Sequence, residues 1–158
     1  MKLFLPYPVS ANAYWAKRGY LDKKTRKPMA LVYVTEEARA YRSLVGWTAK
    51  EAGWRTPTDR LIEIGSIILV PPATRMRRDA HSKQLVEVRN SQVLDLDNAL
   101  KVTFDALNGI VYEDDAQIKR IRGPIEYGEP QGKGALVIEI DEFIPPPAPI
   151  FAASEASA

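Results

Sequence analysis

The most chemically suggestive stretch of this sequence runs from Leu94 to Arg122, LDLDNALKVTFDALNGIVYEDDAQIKRIR. It opens on Asp95-Leu96-Asp97. In extended backbone, residues two apart point to the same side, so both carboxylates can face one cation. Asp115, from the later Asp114-Asp115 pair, would add a third carboxylate from a separate element. Hard divalent cations take few protein oxygens, keep several waters and complete their shell with phosphate oxygens. Three aspartates and no histidine therefore suit Mg²⁺ or Mn²⁺ better than zinc. The spacing also imitates the start of a calcium-binding EF-hand loop, but Leu100 stands where that loop needs glycine and Ala106 where it needs glutamate. A plainer alternative is that Asp95 or Asp97 only caps a helix. Asp97 can do so whether or not it also binds metal.

Lys101 stands four residues after Asp97 and four before Asp105, so the three share one stripe of a helix. In one reading they form two exposed ion pairs, each worth a few tenths of a kcal/mol. In the other, the ammonium lies beside the metal carboxylates, where it could neutralise a phosphate or stabilise charge developing in a transition state. Spacing alone does not choose between them.

Other chemistries are poorly supplied. The chain has no cysteine, which removes disulfides, thiolate zinc sites and cysteine nucleophiles and suits a reducing cytoplasm. His81 is the only histidine, so histidine-based triads and His-rich metal sites are nearly excluded. The formal charge is only +2, but its distribution is uneven. Lys17, Arg18, Lys23, Lys24, Arg26 and Lys27 cluster early, Arg75, Arg77, Arg78, Lys83 and Arg89 precede the acidic segment, and Lys119, Arg120 and Arg122 follow it. Cations flanking an acidic centre are what a nuclease needs: the cations hold phosphates while the carboxylates hold metal. Ordinary solvated loops would give the same clustering. The N-terminal MKLFLPYPVS is too short for a signal sequence, and no apolar run approaches the ~20 residues needed to cross a bilayer. The expectation is an intracellular, cytoplasmic protein that binds no membrane and no small-molecule cofactor.

The elements that must position these residues follow from pattern. With 158 residues, one domain over about 1–144 is expected, followed by a disordered Pro/Ala-rich tail, 145–158. Lys2–Leu5 predicts a strand, and Pro6, Pro8, Ser10 and Asn12 a turn-rich segment. A hairpin or long loop should carry the basic DKKTRKP. Thr35 predicts the N-cap of a helix to about Ala52, with Ala38, Tyr41, Leu44, Val45, Thr48 and Ala52 at helical spacing, Trp47 as a packing residue, Gly46 as a close packing contact and Gly53 as the stop. Leu61–Val70 predicts a central strand, residues 73–94 a long basic connection, either a mobile DNA-contacting loop or an insertion, and 97–107 a second helix with Leu100, Phe104 and Leu107 on its buried face. A short apolar piece, Ile110–Tyr112, and strands over Ile118–Tyr127 and Ala135–Asp141 complete the chain. The coarse order β, α, β, α, β, β argues for an α+β fold: a single mixed β-sheet with two helices packed on it.

DLDNALKVTFDALNG followed closely by EDDAQI strongly resembles the signature of the RusA family of crossover-junction endodeoxyribonucleases. That pattern is D-x-D-N, a lysine three residues after the asparagine, F-D-A-L on the same helix, then a D-D pair; all are present, in order. Pro8-Val9-Ser10-Ala11-Asn12 resembles the family's N-terminal turn, with Val9 where a second proline is common. The resemblance implies that Asp95, Asp97 and Asp115 are metal-binding and catalytic, with Asp115 favoured over Asp114, and that Lys101 is an essential catalytic lysine. It implies supporting roles for Asn98, Asp105 and Asp114, and more weakly for Ser10 and Asn12, which could also contact DNA. It further implies a homodimer that binds four-way DNA junctions and makes paired nicks with Mg²⁺ or Mn²⁺. DNA contacts are expected from Lys17, Arg18, Lys23, Lys24, Arg75, Arg77, Arg78, Lys119 and Arg120. One departure is that Val93 and Leu94 stand where family members often carry arginines, which bears on how the junction is gripped. The competing readings are a non-catalytic branched-DNA-binding module and a nuclease for flaps or replication forks.

Overall fold

A computed structural model describes residues 1–147 of the chain. Its centre is one mixed sheet. β1 (Lys2–Pro6) pairs antiparallel with the last strand, β9 (Ala135–Glu142), and β9 pairs antiparallel with β4 (Ile62–Val70). The far side of β4 is taken, in parallel, first by β7 (Ile118–Ile121) and then by β8 (Ile125–Tyr127). The sequence predicts one strand over 118–127; Gly123 and Pro124 split it. The backbone passes so close there that a Cβ on Gly123 would lie 1.8 Å from the Gly65 carbonyl oxygen, which only glycine permits.

Leu3 and Leu5, Ile62, Ile64, Ile67 and Leu69, and Leu136, Ile138 and Ile140 bury one core, the alternation expected of a sheet covered on one side. α2 (Glu36–Glu51) packs on it through Ala38, Tyr41, Val45 and Ala49, and α3 (Leu96–Leu107) through Ala99, Val102, Ala106 and Leu107. Thr35 does cap α2, accepting from the Ala38 N–H at 3.2 Å, and Gly53 ends it at φ 97°. Three expectations need correction. Leu44 and Trp47 are not packed: they are 56% and 64% exposed, because the buried stripe of α2 runs through 38, 41, 45 and 49. On α3 the buried face is rotated, so Leu100 and Phe104 are only half-buried. Gly46 meets Ile110 at an ordinary contact distance of 3.5 Å, so no close approach demands glycine there.

Two ribbons and one extra helix complete the described chain. The turn-rich segment forms a one-turn helix, α1 (Ala11–Tyr14), with Ser10 as N-cap. β2 (Trp15–Leu21) and β3 (Pro28–Val34) make the expected hairpin, with the basic DKKTRKP at its tip. Residues 73–94 are not a loop: β5 (Thr74–Arg78) and β6 (Leu85–Arg89) pair antiparallel. The charges masked the strand pattern there. Ile110–Tyr112 is a buried turn. The expected tail begins at Pro145, but from 148 onward it lies outside the described residues. No helix of the described residues is long and apolar enough to cross a membrane.

Candidate active site

α3 carries most of the site, and its first residues are freer than a capping role would leave them. Asp95 occupies the N-cap position, yet its side chain caps no backbone N–H. Its carboxylate meets the Asn98 side-chain amide at 3.5 Å. The helix begins one residue earlier than predicted, so Asp97 stands in its first turn and not in extended backbone. Asp95 and Asp97 are therefore not alternate residues of an extended strand, as their spacing suggests, but flank the helix start. Both are exposed.

The peptide before Asp95 is gripped from two directions. The Leu94 N–H donates to the Tyr7 hydroxyl and the Tyr127 hydroxyl donates to the Leu94 carbonyl, each at 3.0 Å. Tyr7 comes from the segment after β1 and Tyr127 from β8, so the sheet fixes where α3 starts. Partial burial raises the Tyr7 pKa, against the opposing effect of the Leu94 amide, which keeps the hydroxyl neutral. Sequence reasoning missed both tyrosines. The flanking Pro6 and Pro8 were the available sign that Tyr7 is held in a fixed turn.

One turn further, an open cleft of about 510 Å³ gathers Asn98, Lys101 and Asp105 from α3 with Asn12, Trp15, Lys17 and Val32 from α1 and the β2–β3 ribbon. The Lys101 ammonium lies 4.9 Å from the centre of the Trp15 ring. Among the described residues it makes no ion pair, neither to Asp97 nor to Asp105. The surface ion-pair reading of Lys101 is thus not what the fold adopts. An aromatic face attracts a cation without neutralising it, so the full charge remains open to an anion in the cleft. Trp15 also escaped the sequence reading, since a lone tryptophan at a strand start looks like packing.

Asp115 arrives from a 3₁₀ turn, Asp115–Gln117. Asp114 caps that turn, accepting from the Ala116 N–H at 2.8 Å, while Gln117 accepts from the Asp114 N–H at 2.8 Å. Gln117 also donates to the carbonyls of Thr58 and Arg60, both at 2.8 Å, which ties the turn to the chain ahead of β4. Asp114 is therefore committed to structure and the exposed Asp115 is not. The Asp105 pKa is raised, by partial burial first and then by the charge of Asp115, with Lys101 and Arg42 pulling the other way. Tyr112, fully buried and donating to the Phe104 carbonyl at 3.0 Å, has its pKa raised by burial and then by Asp115 and Asp105. These couplings put Asp115 near Asp105, in the last turn of α3.

Among the described residues, no three acidic or imidazole side chains converge as a ready-made metal site. The donor set is nonetheless all oxygen and carries excess negative charge, and none of Asp95, Asp97 and Asp115 caps a backbone N–H among the described residues. That fits a cation held by one or two carboxylates, with water and phosphate completing the shell, as Mg²⁺ prefers.

The other predicted residues divide. Ser10 caps α1 through its hydroxyl, which accepts from the Ala13 N–H at 3.2 Å, and Asn12 lines the cleft. Lys17, Arg18, Lys23 and Lys24 lie along the β2–β3 ribbon and its tip, exposed and without ion pairs. Arg77 and Arg78 are likewise free on β5, whereas the Arg75 guanidinium is bonded to Gln92. Lys119 donates to the Ala116 carbonyl at 2.8 Å. Arg120 is paired with the buried Glu63, which Arg122 also contacts at 3.1 Å, and lies over the Phe143 ring at 5.3 Å. Glu63 offsets part of the Arg120 charge, and the arginine side chain stays half exposed.

A family model described as endodeoxyribonuclease RusA matches residues 6–141. No curated protein matches the chain at a significant level.

Proposed function

The chain belongs to the RusA family of endodeoxyribonucleases, and from that premise we propose that it is a divalent-metal-dependent endonuclease that resolves four-way DNA junctions by paired nicks. The observation that carries this reading is the state of the signature side chains. Asp95 stands at a helix cap without capping, Asp115 is left free by its neighbour Asp114, and Lys101 is an unpaired cation in a cleft that Asn98 and Asp105 also line.

Asp95, Asp97 and Asp115 would hold Mg²⁺ or Mn²⁺. When bound, such a cation supplies an activated water and polarises the phosphate. Lys101 supplies positive charge to the phosphate oxygens as negative charge develops on them. Asn98 orients Asp95, and Asp105 supports the acidic group and the lysine. Lys17 and Asn12, on the opposite wall of the cleft, bind the backbone beside the scissile bond, while Arg18, Lys23, Lys24, Arg77 and Arg78 on the two ribbons grip phosphates further out without reading much sequence. Two copies in a symmetric homodimer would present two such sites to opposing strands. The protein is expected to work inside the cell, with no small-molecule cofactor and no membrane.

The test is cleavage of a panel of four-way, forked, flapped and linear DNAs with and without Mg²⁺, beside the Asp95→Asn variant. Paired nicking of the four-way substrate, dependent on metal and on Asp95, is expected. Preferential cutting of forks or flaps would reassign the substrate. Binding of junctions without any cleavage would leave a DNA-binding module.

A further inference from the structure

A second cleft, of about 540 Å³, shares no lining residue with the one that holds Lys101 and lies between the flank of α2 and the segments around Trp54–Pro57 and Gly109–Ile110. Arg39, Arg42 and Lys50 recur at helical spacing along that flank, beside the stripe that α2 buries. Arg55 faces them from the chain after the helix, and no acidic residue lines the cleft. None of the four cations forms an ion pair among the described residues. The guanidiniums of Arg39 and Arg42 donate to the carbonyls of Val34 and Asn108, which orients them without cancelling their charge. On a chain with a formal charge of +2, four cations without an ion pair gather around one cleft. Such concentrated positive potential is built for a polyanion.

The cleft adjoins the candidate site through one intervening depression. Arg42 and Gly109 border a further depression that Asp105 and Glu113 also line, and Asp105 lines the cleft that holds Lys101. Trp47 adds an uncharged surface: its ring is 64% exposed, with the Lys50 ammonium 5.6 Å from its centre. We propose that this cleft holds the phosphate backbone of a second DNA arm while the cut strand occupies the candidate site, with Trp47 packing against a sugar or a base. The proposal rests on the nuclease reading above. It explains how the protein could prefer a branched substrate: a linear duplex running through the candidate site leaves the α2 flank empty, and a junction fills both.

The experiment is equilibrium binding of an immobile four-way junction, and of a linear duplex of the same sequence, across a range of KCl in EDTA. The wild type is compared with the triple variant Arg39→Gln, Lys50→Gln, Arg55→Gln. Glutamine keeps good helix propensity, and a matching thermal melt checks the fold. Arg42 is left in place because it anchors Asn108. Each lost phosphate contact should flatten the plot of log affinity against log salt by about 0.9, so the triple variant should lose about two to three units of slope on the junction and much less on the duplex. Trp47→Ala should weaken junction binding without changing the slope. An unchanged junction slope in the triple variant overturns the proposal, as does an equal change on the duplex. A shift in sedimentation from dimer to monomer overturns it too, since the cleft would then join copies of the chain. A wild type that neither prefers nor cuts the junction refutes the underlying nuclease reading instead, and this proposal with it.

Discussion

Asp95 stands at the N-cap of α3 but turns its carboxylate to the Asn98 side chain, 3.5 Å away, and leaves the backbone N–H groups of the helix start uncapped. Thr35, in the same position on α2, accepts from Ala38 as a cap ordinarily does. The two helices thus give an internal comparison. Removing a working N-cap costs about 1 kcal/mol, so Thr35→Ala, which also loses the hydroxyl's bond to the Ala13 carbonyl, should lower stability by at least that amount. Asp95→Ala should lower it far less and yet abolish metal-dependent cleavage. Denaturant unfolding and single-turnover cleavage of the two variants decide it. An Asp95→Ala protein destabilised as much as Thr35→Ala, with activity retained, would make Asp95 a cap after all.

Asp105 offers a test of the acidic crowding. Its pKa in the metal-free fold is raised above the usual 3.8, by burial and then by Asp115. A carboxyl whose folded pKa exceeds its unfolded one binds its proton more tightly when folded, so stability falls as pH rises through the raised value. At pH 7 the ionised group therefore works against the fold. Asp105→Asn should raise the melting temperature at pH 7 in EDTA, and the gain should shrink as pH is lowered towards 3.8. Saturating Mn²⁺ should shrink it as well, because a cation near Asp115 removes the repulsion. An unchanged or lowered melting temperature at pH 7 would show that the crowding is too weak to matter.

The grip on Leu94 predicts a positioning effect. Tyr7→Phe removes the acceptor for the part-buried Leu94 N–H, a loss of about 1 kcal/mol. The peptide it releases leads directly into Asp95. Cleavage should fall in Tyr7→Phe and again in Tyr127→Phe while junction affinity holds, because neither tyrosine belongs to the proposed DNA contacts. Parallel losses in affinity and rate would point to a broader disturbance of the fold.

What could be read from the residues, and what could not, follows from the range of the interactions. The strand at Ile62–Val70, the helix behind Thr35 and the α3 motif were legible because apolar period, caps and glycine stops are local signals. The RusA-type signature was legible for the same reason, being nearly continuous in sequence. The β5–β6 ribbon was hidden by its charges, since arginines on a two-sided exposed ribbon leave no apolar alternation to detect. Tyr127 grips Leu94 from 33 residues away, and Trp15 meets Lys101 only because α1 turns the ribbon back onto α3. The α2 cations escaped because they are spaced along a helix and not clustered in sequence. Pairings across the fold carry no pattern that one chain displays.

Lys101 and Trp15 allow the sharpest prediction, because the fold has already removed the simplest alternative. If Lys101 bridged Asp97 and Asp105, its loss would cost a few tenths of a kcal/mol and little activity; but the ammonium is over the indole and pairs with neither. As the electrostatic partner of the scissile phosphate, Lys101→Ala should slow single-turnover cleavage by a factor on the order of a hundred or more. Lys101→Arg keeps the charge but changes reach and donor geometry, so it should remain well below wild type. Trp15 should act through the lysine. Trp15→Leu removes the aromatic face and should slow cleavage by about three- to thirty-fold, the range that cation–π energies imply, while Trp15→Phe keeps a weaker face and should lose less. In the Lys101→Ala background the Trp15 substitutions should have almost no further effect, since the charge they hold is gone. Upfield-shifted ε-methylene protons of Lys101 in the free protein, lost in Trp15→Leu, would report the contact independently of activity. A normal rate in Lys101→Ala would reduce the lysine to a surface residue. Additive losses in the double variant would mean that Trp15 supports the cleft by packing alone.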